Sequence, residues 1–237
     1  MSILITICAR AGSKGIPGKN VKLLNGKPLI AYSINSAKKF ATKFNSKITI
    51  STDDAKVIEI CDEMGIHTDY IRPKSLATDN SGKVDVIADI LRYEEDKSGI
   101  IYDFVLDLDI TSPLRTLEDL ETAYKAINED HKAVNLFSVN YANKNPYFNM
   151  IEKKNNGYFG LVKKGNFFTR QSATPVYELN ASFYFYKRSF FELEEKRVVN
   201  NRTIIYVMNH ICFDLDHQID FEFMSYLIEN NKIDFQF

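Results

Sequence analysis

The first twenty residues constrain this chain more than any other stretch. Ser2–Cys8 is a short apolar, β-branched run, the composition of a strand buried inside a sheet. It opens directly into a segment with three glycines (Gly12, Gly15, Gly18), Pro17 and three cations (Arg10, Lys14, Lys19). Glycine permits positive φ and lets backbone N–H groups come close to an anion. Arginine and lysine add charge-assisted bonds to phosphate oxygens. A strand running into such a loop reads as a phosphate cradle. It is not the ATPase-type loop, because Asn20 stands where Ser or Thr would follow Gly-Lys, and the glycine spacing of the dinucleotide fingerprint is absent. The plain alternative is a basic, glycine-rich surface turn; the strand ahead, the cations within and the apolar segment behind count against it.

Beyond the cradle, strand and helix patterns alternate. Asn25–Pro28 reads as a turn and Leu29–Phe40 as a helix, Lys47–Ser51 as a second buried strand, and the segment with Val57, Ile58, Ile60 and Cys61 as a helix capped by Thr52, Asp53 or Asp54. His67–Arg72 is expected as a third strand, followed by a helix at Asp85–Tyr93, a strand at Tyr102–Ile110, a helix at Leu117–Asn128 and a strand at Ala133–Val139. This order predicts an α/β fold with a doubly wound, mostly parallel sheet and ligands at the carboxyl ends of its strands. From 140 to 187 the texture shifts to Asn-, Gly- and aromatic-rich hairpin sequence, including the β-prone Ser182–Tyr186. We read 140–187 as a small β-rich lobe inserted in a single domain spanning 1–237. Its aromatics exceed what a few short strands can bury, which points to a partner chain. Ile204–Met208 and Phe221–Glu229 supply a closing strand and helix.

Composition narrows the function classes. A formal net charge of -1 gives no bulk attraction to nucleic acid or to an anionic membrane. No apolar run approaches the length of a membrane span, and the N-terminus lacks the regions of a signal peptide. Cys8, Cys61 and Cys212 are widely spaced, with neither zinc spacing nor a disulfide framework. The expectation is a cytoplasmic protein with no nucleic-acid or membrane partner.

Two acidic pairs carry the same pattern. Asp214-x-Asp216, followed by Asp220, places alternating carboxylates on one side of a strand end, where they suit a magnesium ion bridging phosphates. The same pair also suits a helix cap or a solvated strand end. Asp107-x-Asp109 is a competing metal pair of identical form. Arg170-Gln171 offers an arginine fork for a carboxylate, and Arg72 and Arg115 either bind ligand or anchor loops. The four histidines are dispersed and read as structural.

Ala9-Arg10-x-Gly12-Ser13-Lys14-Gly15-Ile16-Pro17-Gly18-Lys19-Asn20, followed by N-G-K-P-L-I-A-Y from Asn25, resembles the opening motif of the acylneuraminate cytidylyltransferases. These are the CMP-sialic acid synthetases and their legionaminic acid relatives. The likeness continues in order through S-T-D-D, R-P-x-x-L-A-T-D, T-S-P-L-R-T, R-Q…V-Y-E-L-N-A and D-L-D…D-F-E, over nearly the whole chain. It implies a Rossmann-like nucleotidyltransferase fold and a reaction of CTP with a nine-carbon 2-keto sugar acid (a nonulosonic acid). It implies that Arg10, Ser13 and Lys19 line the triphosphate, and that Asn20, Arg72, Ala77, Thr78, Asp79 and Asn80 contact cytidine. Asp214 and Asp216 are then the pair holding Mg2+, and Lys19, Arg10 and Asp216 carry catalysis. Arg170, Gln171 and Tyr184, with Asp109, Thr111 and Ser112, face the sugar, and the lobe forms a homodimer that completes the site.

The departures bear on the substrate. Asp109 replaces the glutamine of the sialic acid enzymes' L-Q-P-T-S-P-L-R, exchanging an amide for a carboxylate that accepts hydrogen bonds only. Phe148 stands where some of those enzymes carry lysine. Both changes favour a relative such as di-N-acetyllegionaminic acid, and Ser13-Lys14-Gly15 argues against the Kdo enzymes. The competing expectations are a metal-dependent glycosyltransferase using Asp107 and Asp109, and a nucleotide-binding regulatory protein without catalysis.

Overall fold

The computed structural model describes the whole chain except residues 13, 14, 168 and 170. The elements in chain order are β1 (Ile3–Ala9), β2 (Leu23–Leu24), β3 (Lys27–Pro28), α1 (Leu29–Phe44), β4 (Lys47–Thr52), α2 (Ala55–Glu63), α3 (Lys83–Ser98) and β5 (Phe104–Leu108). They continue with α4 (Leu117–Glu129), β6 (Asn135–Tyr141), β7 (Ile151–Lys153), β8 (Phe159–Leu161), β9 (Tyr177–Lys187), β10 (Thr203–Val207) and α5 (Gln218–Glu229). Six strands form the central sheet in the order β10-β6-β9-β5-β1-β4. The pairs β1–β4, β1–β5 and β6–β10 are parallel; β9 runs antiparallel between β5 and β6.

Strand alternation builds two cores. In β1, Ile3, Ile5, Ile7 and Ala9 point to one face, where residues of α1, α2, α4 and α5 cover them. Leu4 points to the other, against Val84, Ile87 and Leu91 of α3. A strand covered on both faces reads as the near-continuous apolar run seen in sequence. Phe40 of α1 is fully buried, and a phenyl ring so placed contributes about 2–3 kcal/mol. Helix starts follow local chemistry: Asp54 caps α2 by accepting from the Lys56 N–H at 3.0 Å, and Thr116 with Asp119 forms a capping box on α4. Each such cap contributes about 1 kcal/mol.

Two expectations need correction. His67–Arg72 is not a strand; it is an extended segment that returns along the end of β4, its Arg72 N–H donating to the Thr52 carbonyl at 2.9 Å. Ser182–Tyr186 does not belong to the inserted lobe. It is the second half of β9 in the main sheet, with Tyr184 opposite Asp107 and Phe137. The chain enters β9 from the lobe in the reverse direction, so the strand sits antiparallel although its composition matches its parallel neighbours. The excursion from the sheet is therefore 142–176, carrying the short β7–β8 hairpin.

β9 breaks register at a bulge. Ala181 adopts φ 58, and the Ser138 hydroxyl fills the gap by donating to Asn180 Oδ1 at 2.6 Å. Bulges bend strands and re-aim side chains beside functional clefts. Here the bulge turns Ser182 and the Asn180 carbonyl toward the loop that leaves β5.

Candidate active site

The carboxyl ends of β1, β4 and β5 surround a cleft of about 310 Å³. Four cations line it, Arg10, Lys19, Arg72 and Lys83, together with Cys8, Gly12, Asn20, Thr78, Asp79, Ser81, Asp109 and Thr111. The glycine loop forms one wall. Gly18 takes the left-handed conformation (φ 63), starting a short turn that buries Lys19. Gly15 is required for a different reason: a Cβ there would lie 2.1 Å from the Asp216 carbonyl oxygen. The Ala11 N–H donates to Asp53 Oδ1 at 2.8 Å, and the Asn20 amide donates to the Arg10 carbonyl at 3.0 Å, so the loop is braced from both ends.

Lys19 ties this wall to the acidic pair. Its Nζ donates to the Leu215 carbonyl at 2.6 Å and lies 3.7 Å from Asp216 Oδ1. Asp216 is exposed, and its own N–H donates to Asp220 Oδ2. Asp214 is different. Its Oδ1 is buried with no hydrogen-bond partner among the described residues. Burial, then the neighbouring charges of Asp109 and Asp216, raise its pKa, with Thr111 and Lys19 offsetting part of the rise. A buried carboxylate oxygen lacking a donor, beside a second carboxylate, fits a hard divalent cation. Among the described residues no three His, Cys, Asp or Glu side chains converge. A two-carboxylate donor set suits magnesium, which keeps water and phosphate oxygens as its remaining ligands.

The other acidic pair is engaged by a residue the sequence reading passed over. Lys83, at the first turn of α3, places its ammonium 2.9 Å from Asp107 Oδ2 and 2.6 Å from Asp109 Oδ2, and 4.6 Å from the Tyr184 ring centroid. Burial opposes its charge, but Asp107 and Asp109 outweigh it and raise the Lys83 pKa. Asp109 Oδ1 accepts from both the N–H and the hydroxyl of Thr111 at 2.9 Å. Burial alone would raise the Asp109 pKa; the Lys83 charge and these bonds bring it down to about 2. Asp107 is wholly buried and its Oδ1 accepts from the Thr6 hydroxyl. Asp107-x-Asp109 thus faces a lysine ammonium, although Asp107 Oδ2, like Asp214 Oδ1, accepts no hydrogen bond among the described residues. The only signal for Lys83 in sequence was its place at the end of the polar loop that opens α3.

The remaining expected residues divide clearly. Thr78 and Asp79 reach the cleft, Asp79 pairing with Arg10 at 2.5 Å, whereas Ala77 and Asn80 lie outside its lining. Arg72 lines the cleft and anchors β4, donating to the Ser51 hydroxyl and carbonyl at 2.9 and 2.7 Å. Arg115 is an anchor only: it is buried and donates to Ser182 Oγ and to the carbonyls of Asp109 and Ser112.

Four residues expected to face the sugar sit in different surroundings. Ser112 is fully buried, its hydroxyl bonded to the Asn180 and Phe213 carbonyls across the β9 bulge. Tyr184 is buried beneath Lys83 and does not line the cleft. Asp109 lines the cleft, but Lys83 and Thr111 engage both its oxygens. Gln171 sits at the base of the lobe, beside Tyr141 and Asn145, away from the cleft. Ser13 and Arg170 lie outside the described residues. Cys8 lines the cleft, but burial and Asp107 push its thiol up, which makes it a packing residue there. Among the described residues no helix is long and apolar enough to cross a membrane.

Known proteins are similar to this chain over nearly its whole length. A "CMP-N,N'-diacetyllegionaminic acid synthase" of Campylobacter jejuni is 38% identical over 227 residues, covering 95% of this chain and 94% of that protein. The protein of the same name from Legionella pneumophila is 32% identical over 238 residues, with 98% of each chain covered. An "N-acylneuraminate cytidylyltransferase" of Streptococcus agalactiae is 33% identical over 224 residues, 93% of this chain and 52% of that protein. Among solved structures, a CMP:2-keto-3-deoxy-manno-octonic acid synthetase complexed with CTP superposes with a TM-score of 0.69 at 16% identity, covering 98% of this chain and 100% of that one. That likeness shows the fold, a Rossmann-like nucleotidyltransferase sheet with flanking helices. The family model described as "Cytidylyltransferase" matches residues 4–235, and the chain belongs to that family of nucleotidyltransferases.

Proposed function

We propose that this enzyme joins CTP to a nonulosonic acid, N,N'-diacetyllegionaminic acid or a sialic acid, to give the CMP-sugar and pyrophosphate. Lys19 is the observation that carries the reading. It is buried between the glycine loop and Asp214–Asp216, so one cation links an anion cradle to a carboxylate pair. The names of the relatives support CTP and the sugar class. The anomeric hydroxyl attacks the α-phosphorus in line, an O–P bond forms, and the bond to the β-phosphate breaks. Arg10, Lys19 and the loop N–H groups neutralise the departing pyrophosphate, and the hydroxyl proton passes to water beside the exposed Asp216. Such transfers depend on positioning and charge neutralisation more than on covalent enzyme chemistry. Asp214 and Asp216 would hold Mg2+, which supplies charge neutralisation at the phosphates when bound.

The lobe supports a homodimer. Tyr141, Ile151, Tyr158, Phe159, Tyr177 and Leu179 are all exposed on it and at its base, an apolar surface of the kind a second copy covers. Gln171 then meets the sugar only across that interface. Consumption of CTP fits a cytoplasmic enzyme. The test is pyrophosphate release from CTP and Mg2+ with N-acetylneuraminic, legionaminic, pseudaminic and Kdo acids offered separately. Release with a legionaminic or sialic acid is expected; silence across the panel with CTP still bound overturns the reading. Asp107-x-Asp109 gives no support to a glycosyltransferase, because Lys83 occupies it.

A further inference from the structure

Lys83 lies outside the roles assigned above, yet it begins a continuous path to the acidic pair. Its ammonium holds Asp109 Oδ2, and Asp109 Oδ1 holds Thr111 by two bonds. The Thr111 carbonyl accepts from the Leu215 N–H at 2.9 Å, between Asp214 and Asp216. Lys19 closes the arrangement from the far side through the Leu215 carbonyl. Leu215 itself is fully buried, so the segment that presents the two carboxylates is fixed at its centre by both backbone groups and by its side chain. The base of the path is rigid, since Asp107 is locked by Thr6 and by Lys83.

We propose that Lys83 is a positioning residue, acting through Asp109 and Thr111 to set the Asp214–Asp216 segment for a divalent cation. This rests on the reading of that pair as the cation site. It differs from a simple charge effect, because the two predict opposite outcomes for one substitution. Lys83→Met removes a positive charge from the surroundings of Asp214, so charge alone would tighten the metal, whereas Asp109→Asn removes a negative charge and by charge alone would loosen it. The amide of Asp109→Asn cannot serve both Lys83 and Thr111, and the methionine of Lys83→Met cannot hold Asp109. Positioning therefore predicts looser metal binding in both variants, and Lys83→Met is the substitution that separates the two accounts. Asp109→Asn keeps the Lys83–Asp107 pair and strands no buried charge.

The experiment is Mn2+ binding to the protein–CTP complex, followed by electron paramagnetic resonance, with metal-free CTP binding measured by calorimetry. Asp109→Asn is expected to weaken Mn2+ by about tenfold, the usual effect of losing a group that orients metal ligands, with metal-free CTP binding unchanged or tighter. Lys83→Met should also weaken Mn2+, against the tightening that charge alone predicts. Unchanged or tighter Mn2+ binding in Lys83→Met or in Asp109→Asn overturns the proposal, as does a wild-type complex that binds no Mn2+. A wild type silent on the sugar panel, with Mn2+ still weakened by Lys83→Met, sinks the proposed reaction and leaves the positioning role standing.

Discussion

Replacing Gly15 by alanine tests the junction between cradle and acidic pair directly. The added Cβ would sit 2.1 Å from the Asp216 carbonyl oxygen, with the Asp216 carbonyl carbon at 3.3 Å. That is about 1 Å or more short of ordinary contact, and the obstruction is backbone rather than a side chain that can swing away. Either the glycine loop or the 214–216 segment must retreat by that amount. Overpacking of this kind costs about 1–3 kcal/mol, which for a domain of this size lowers the melting temperature by roughly 3–9 °C. A displacement of about 1 Å in a reacting array costs roughly a hundredfold in turnover. The assay is pyrophosphate release with CTP and the accepted sugar, beside a thermal melt. Gly12→Ala is the stability control, because its methyl meets no atom within 4 Å. Wild-type turnover and an unchanged melt in Gly15→Ala would refute the contact and the coupling built on it.

Lys19→Met should retain the fold and lose at least about a hundredfold in turnover, as removal of one preorganised charge donor does; near-normal rates would remove it from the site. Arg115→Met should cost at least about 3 kcal/mol in urea unfolding, because several buried carbonyls lose a charged donor together. Burial lowers the Arg115 pKa only to about 10, so it remains a cation at neutral pH, and a cost under about 1 kcal/mol would refute the anchoring role. His210 donates from Nε2 to the Asp119 carboxylate at 2.8 Å, and its ring packs at a tilt against Phe235. Burial opposes its charge, but the bonds to Asp119 and the Ile211 carbonyl raise its pKa. A raised folded value means its contribution is complete below about 6.5 and is lost as pH rises through that folded value. The melting difference between wild type and His210→Gln should therefore shrink with rising pH; a constant or growing difference contradicts it. Sedimentation should show a dimer that Tyr158→Ser with Phe159→Ser makes monomeric, and a monomeric wild type would rule out the lobe as its interface.

The sequence by itself determined the opening strand and marked the loop after it as a candidate cradle. Local rules govern there: an unbroken β-branched run suits a strand covered on both faces, and glycines among cations suit a loop that approaches an anion. The same locality made Asp54 readable as one of the candidate caps of α2, whereas Asn20 and Thr78 were expected in one cleft with Arg10 and Lys19 only through the family resemblance. Tertiary structure decided what two equal local patterns mean. Asp107-x-Asp109 and Asp214-x-Asp216 are alike on paper; only the arrival of Lys83, from a helix that begins 24 residues before Asp107, places a cation on the first pair, while Asp214 Oδ1 has no hydrogen-bond partner among the described residues. Folding likewise turned Ser112, Arg115 and Tyr184 inward. A bulge in β9, itself placed by a strand entering the sheet backwards from the lobe, offers Ser112 and Arg115 partners that no neighbouring residue supplies. Periodicity reports which face a side chain occupies; whether its polar group meets a ligand or another side chain depends on elements distant in sequence.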